Sequence, residues 1–127
     1  MEFVDFEKLL YTINNRIEKL LDKDHRIGHA YFINLYKSDF PFIELKNIFQ
    51  NKILPLLQEY FFGDHGKIGL ILGDSFVEKI EDTKADFRFA KFKGYNEDTI
   101  SELKERAIFK FTDSNTWTTE TFTSIYQ

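Results

Sequence analysis

A chain of 127 residues has the size of one ordinary domain and can bury a core without covalent staples. It contains no cysteine, which excludes a disulfide framework, thiol catalysis and cysteine-ligated metal centres, and its 21 acids and 17 bases are scattered, so no basic block marks a footprint for phosphate backbones. The opening MEFVDFEKLL lacks the features of a signal peptide and no apolar run approaches the length of a membrane span, so a soluble, cytoplasmic protein with no membrane partner is expected.

Phe6, Leu10, Ile13, Ile17 and Leu20 recur in steps of three and four, which predicts a first helix with Asp5 as its N-cap and with Asn14, Asn15, Glu18 and Lys19 off the apolar stripe. The helix should end near residues 22–24, because Gly28 in HRIGH breaks the pattern. A second helical region opens after Ser38 or Asp39, with Pro41 in the first turn, and carries the stripe Leu45, Phe49, Ile53, Leu56 and Tyr60. Pro55 falls inside this run. It removes the bond to the Asn51 carbonyl and disfavours helical geometry at Leu54, so a kink or two helices meeting near Leu54 are expected. Gly63 is placed to end the segment, and Ile17, Leu20, Leu56 and Tyr60 should be buried where the two helical regions meet.

The run IGLIL at 68–72 fits a helix or a strand equally well. Beyond it the period changes: residues 76–80, 87–92 and 107–111 are β-prone, while 96–105 reads as a short polar helix or turn with Ile100 and Leu103 on one face. Helices first and strands after make an α+β chain, with a helical region at 1–74 and a β-rich extension at 75–127 packed on it in a single compact domain.

The aromatic fraction of 17%, with fifteen Phe, predicts a phenylalanine-rich core. Tyr60, Phe61 and Phe62 end a helix at core spacing. Phe87, Phe89 and Phe92 alternate with Arg88, Lys91 and Lys93, a pattern that on a sheet face can stack on single-stranded nucleic acid. No RNA-recognition motif or glycine-rich surround accompanies it, so core packing is the favoured reading and direct nucleic-acid binding is disfavoured.

Little in the chain can carry chemistry alone. His25 and His29 are four apart with Asp22 and Asp24 upstream, but Gly28 lies between them and no third ligand follows at a recognised spacing, so no metal site is expected. His29 reads as a partly buried, hydrogen-bonded imidazole beside Tyr31 and Phe32. None of the six glycines builds a phosphate loop, no nucleophile elbow is present, and acids such as Glu81 and Asp82 read as solvated turn residues. No catalytic residue is assigned.

Taken together, INNRIEKLLDKDHRIGHAYF at 13–32, IFQNKILPLLQEYFFGD at 48–64 and KIGLILGD at 67–74 resemble the C-terminal part of the McrB-type AAA+ NTPases, the GTP-dependent motor subunits of modification-dependent restriction systems and their AAA relatives. The closing AIFKF and WTTETFTSIYQ are similar to the family's last strand and its final aromatic-Ile-Tyr segment. The resemblance implies a helical lid that packs over a nucleotide and transmits its state to neighbouring subunits, with Arg26, Gly28 and His29 nearest the phosphates. Position 30 is Ala where Ser is commoner, so no hydroxyl acts there. The Walker loops and arginine finger lie outside this chain, which implies a truncated product, an excised domain or a split subunit. Alone it would bind no cofactor and be inactive. In the assembled parent it would meet GTP or ATP with Mg, an AAA+ core domain or subunit in cis or trans, and a restriction nuclease subunit. The alternatives are a free-standing interaction domain derived from the lid, or a nucleic-acid-binding or nuclease domain with acids and a lysine around Glu78, Asp86 and Lys91.

Overall fold

The Asp5 carboxylate accepts from the Lys8 amide at 3.1 Å and caps helix α1 (Phe6–Leu20), as its side chain and position predict. The computed structural model describes residues 3–80 and 87–127, so the turn reading of Glu81 and Asp82 falls outside the described residues. Phe6, Leu9, Ile13 and Ile17 of α1 are buried, whereas Leu10 and Leu20 lie at the margin of the core. The buried stripe thus includes Leu9, which the sequence reading passed over in favour of Leu10. Two 3-10 stretches follow, Lys23–His25 and His29–Lys37, before α2 (Pro41–Ile48), which has Pro41 in its first turn and Phe40 at its N-cap without a side-chain cap. Ser38 accepts from the Phe40 amide at 3.1 Å instead of capping the helix itself.

Two α-helices meet near Leu54 as expected, but through continuous helical backbone and not through the non-helical Leu54 that Pro55 favours. Leu54 keeps helical dihedrals of φ −61° and ψ −46°, and α2 runs through a π-helical stretch, Phe49–Ile53, into α3 (Leu54–Tyr60). The Leu54 amide reaches back to the Phe49 carbonyl, five residues away. A π turn holds one residue more than an α turn, so the face is rephased by one position. Leu45, Phe49 and Ile53 are buried as predicted, but the stripe then continues through Leu57 and Phe61, while Leu56 and Tyr60 are only half-buried. Beyond Phe61 the helix closes with the Gly63 amide donating to the Gln58 carbonyl at 2.9 Å. Gly63 takes φ +77°, a conformation glycine adopts without penalty. Phe62, expected in the core, has φ +52° and is 97% exposed.

The ambiguous IGLIL run is helical. Asp64 caps α4 (His65–Leu72), which buries Ile68, Ile71 and Leu72 and ends at Gly73 with φ +91°. Strands β1 (Val77–Ile80) and β2 (Ile108–Phe111) pair antiparallel, Val77 opposite Phe111 and Ile80 opposite Ile108, and both touch α4. Between them lies α5 (Glu97–Glu105), capped by Asn96, in the place read as a short polar helix. The α+β assignment holds, with the sheet confined to these two strands among the described residues. Residues 87–92 form no strand, and Phe87, Phe89 and Phe92 are 44%, 45% and 65% exposed instead of core. Among the described residues no third strand seats these rings against the helices.

A last 3-10 turn, Ser114–Thr116, leads to α6 (Thr119–Thr123), whose Thr118 and Thr121 hydroxyls satisfy the first turn reciprocally. Here the phenylalanine-rich core materialises. Phe122 meets Phe49 at 5.0 Å and Phe76 at 5.4 Å between ring centroids, and Trp117 lies 4.9 Å from Phe76. The Tyr126 hydroxyl accepts from the Asp5 amide at 2.9 Å, joining the closing segment to the start of α1. Among the described residues no helix is long and apolar enough to cross a membrane.

Candidate functional site

The segment between α1 and the second 3-10 stretch is built by short polar side chains. Asp22 accepts from the amides of Asp24 and His25 at 2.9 and 3.1 Å, forcing the 3-10 turn, and from His25 Nδ1 at 2.6 Å. The hydrogen bond from His25 is the largest of the influences holding the Asp22 carboxyl below the usual carboxylate range. The His25 ring stands edge-on to Tyr60 at 4.9 Å, which ties the turn to α3, and partial burial pushes the Tyr60 phenol up. His25 is therefore committed to the fold, and among the described residues no cluster of three metal-ligating side chains exists.

Arg26 is exposed, and its guanidinium is anchored at one point only: Nε donates to the Lys23 carbonyl at 2.9 Å, while the two terminal nitrogens have no protein acceptor among the described residues. Next to it, Ile27 is buried and gripped from both sides by Asn14, whose Oδ1 accepts from the Ile27 amide at 2.6 Å and whose Nδ2 donates to the Ile27 carbonyl at 2.9 Å. Asn14, which the sequence places off the apolar stripe of α1, is thus the clamp that fixes the segment. No spacing or end signal in the sequence marks it, because α1 carries polar residues at many other positions.

Gly28 takes φ −72° and ψ 152°, and a Cβ there would meet nothing within 4 Å, so the backbone does not demand glycine. His29 is exposed, not the partly buried hydrogen-bonded imidazole expected beside Tyr31 and Phe32. Its ring borders an open groove of about 440 Å³ between α1 and the second 3-10 stretch, walled by Phe6, Leu10, Tyr11, Phe32 and Tyr36. Arg26 and His29 therefore flank one buried residue on an exposed turn, each with unspent donor capacity. Arg16, which the sequence reading did not single out, ties this side of the molecule together by donating from Nη1 to the Ile71 carbonyl at 2.6 Å.

The residues named for a nuclease reading do not assemble in the described part of the chain. Glu78 on β1 pairs with Lys110 at 3.3 Å, Lys91 lies in the irregular 87–92 segment, and Asp86 falls outside the described residues.

The family model of the McrB alpha-helical lid domain matches residues 5–69, a span that contains α1, the Asp22 to His29 turn and the helices up to the start of α4. No curated protein and no solved structure matches the chain.

Proposed function

Because the chain belongs to the family of McrB alpha-helical lid domains, we propose that it is the accessory lid of a restriction-type AAA+ NTPase, inactive alone and acting where it meets a core domain or subunit. The partner core would hold GTP or ATP with Mg and would supply the phosphate loop and metal-holding groups. This chain's part is to bring donors to phosphates held elsewhere, to sense which nucleotide is present and to contact neighbouring subunits of a cytoplasmic assembly that includes a nuclease subunit.

The observation that carries this reading is the state of Arg26. A guanidinium fixed through Nε keeps its terminal pair of N–H groups as a planar fork, the geometry that matches phosphate oxygens bidentately. Exposure keeps it hydrated until a partner covers it. Once water is excluded, a fixed positive charge of this kind stabilises developing negative charge far better than it does in solvent. His29, three residues on and exposed, can add one donor, and the aromatic groove beside it offers apolar area for docking a core.

The test is to join this chain to a related Walker-containing core and compare Arg26→Ala and His29→Ala. The isolated chain is expected to hydrolyse neither GTP nor ATP. In the joined protein, Arg26→Ala should lower the NTPase rate by about tenfold or more, as loss of a charged donor at a transition state does. Its stability should stay within about 0.5 kcal/mol, the range for an exposed substitution. Equal loss of stability and rate, or an unchanged rate in both variants, would sink the proposal.

A further inference from the structure

Residues 87–95, FRFAKFKGY, carry three bases and no acid in a chain whose net charge is −4. They lie outside the span matched by the lid family and form neither helix nor strand. Their four aromatic rings are all substantially exposed and are organised in pairs. Phe87 and Phe89 meet edge to face at 5.0 Å, and Phe92 and Tyr95 do the same at 5.7 Å. An edge-to-face contact uses the face of one ring and the rim of the other, so each pair retains a ring face with no aromatic partner. The Phe92 ring lies over Gly94, where a Cβ would collide with it.

Phe87 and Phe89 also border an open groove of about 990 Å³ whose far wall includes Lys104 and Arg106. Arg88, Lys91 and Lys93 are exposed, and none forms a salt bridge within the described residues. Asp64 on the groove wall and Glu97, Asp98, Glu102 and Glu105 of α5 oppose this charge, which limits affinity and confines the positive excess to residues 87–95.

From this placement we propose that residues 87–95, with Lys104 and Arg106, bind single-stranded nucleic acid without sequence preference. The cations track the phosphates and the exposed ring faces stack on unpaired bases. A polypeptide partner would use the apolar rings but would have no general use for the cations interleaved among them, whereas a polyanion carrying flat bases uses both. A duplex offers the phosphates but keeps its bases stacked. The proposal stands apart from the lid reading and does not depend on Arg26 or His29.

The test is fluorescence anisotropy of the full chain with a labelled oligothymidylate of about twelve nucleotides. Saturable binding is expected below about 100 μM protein in about 50 mM salt. The plot of log affinity against log salt should have a slope of about −2 if only the three cations of the segment engage, and about −3.5 if Lys104 and Arg106 engage as well. The double variant Lys91→Gln, Lys93→Gln should reduce that slope by about 1.4. Phe92→Ala should weaken binding about tenfold and leave the slope unchanged, separating stacking from charge. A duplex of equal length should bind more weakly than the single strand. No saturable binding, equal binding of duplex, or full affinity in both variants would overturn the proposal. So would loss of self-association in the Phe92→Ala variant without any oligonucleotide binding by the parent, which would identify a protein interface. If circular dichroism shows that Phe92→Ala disturbs the fold, the lysine double variant decides alone.

Discussion

Replacing Leu57 and Leu56 separately by Ala tests the phase shift imposed by the π-helical stretch Phe49–Ile53. Leu57 is fully buried and Leu56 is half-buried, although a regular helix continuing the stripe of Leu45, Phe49 and Ile53 would bury Leu56. Truncating a buried Leu removes three carbons at about 0.8 kcal/mol each and leaves a cavity, so Leu57→Ala should cost about 3 kcal/mol within the usual 2–5. Leu56 keeps part of its surface in water and leaves an open dent instead of a sealed void, so Leu56→Ala should cost about 1 kcal/mol. In urea, with a slope of about 1.5 kcal/mol/M for a domain of this size, the midpoint should fall by about 2 M for Leu57→Ala and by less than 1 M for Leu56→Ala, followed by far-ultraviolet circular dichroism. An equal or larger loss for Leu56→Ala would refute the rephasing.

Asn14→Ala should destabilise by about 1–3 kcal/mol, because it strips both backbone groups of buried Ile27 of their partners, and the Ile27 amide should lose its hydrogen-exchange protection. Unchanged exchange at that amide would refute the clamp. His25→Ala should return the Asp22 carboxyl upward toward its ordinary value, read from its carbon chemical shift against pH. Since the folded-state value is depressed, the stability linked to Asp22 is present above the unfolded value of about 3.9 and fades as pH falls through the folded one; parent and variant should therefore converge in strong acid. Identical Asp22 titrations in the two proteins would count against the pairing.

The helices were legible where apolar spacing and end signals agreed. Asp5, Pro41 and Gly63 are local devices whose effect is set within one turn, and each acts where the sequence places it. Pro55 marks the junction where α3 begins but not its geometry, since Leu54 before it stays helical. The π turn just before it reroutes the bonding, and nothing in composition signals that choice. The 87–92 segment failed for a different reason. Its alternation suits a strand, but a strand needs a partner, and the described ladder ends with β1 beside β2. At the candidate site, Arg26 and His29 are named by resemblance alone. Asn14 is not marked, since a polar residue on a helix face looks solvated until the loop that folds onto it is known.

Trp117 is the chain's one tryptophan, buried between Phe76 and Phe122, and its indole N–H donates to Thr112 at 2.8 Å. The Thr112 hydroxyl in turn donates to the Ser75 carbonyl at 2.7 Å. The indole therefore sits where the strand following α4 meets the closing segment, held by near neighbours in sequence, Thr112 and Phe122, against the distant Phe76. The protein thereby carries an intrinsic optical probe at this junction. Any partner or ligand that loosens the closing segment will move the emission to longer wavelength, while binding events confined to the Arg26 turn will leave it still.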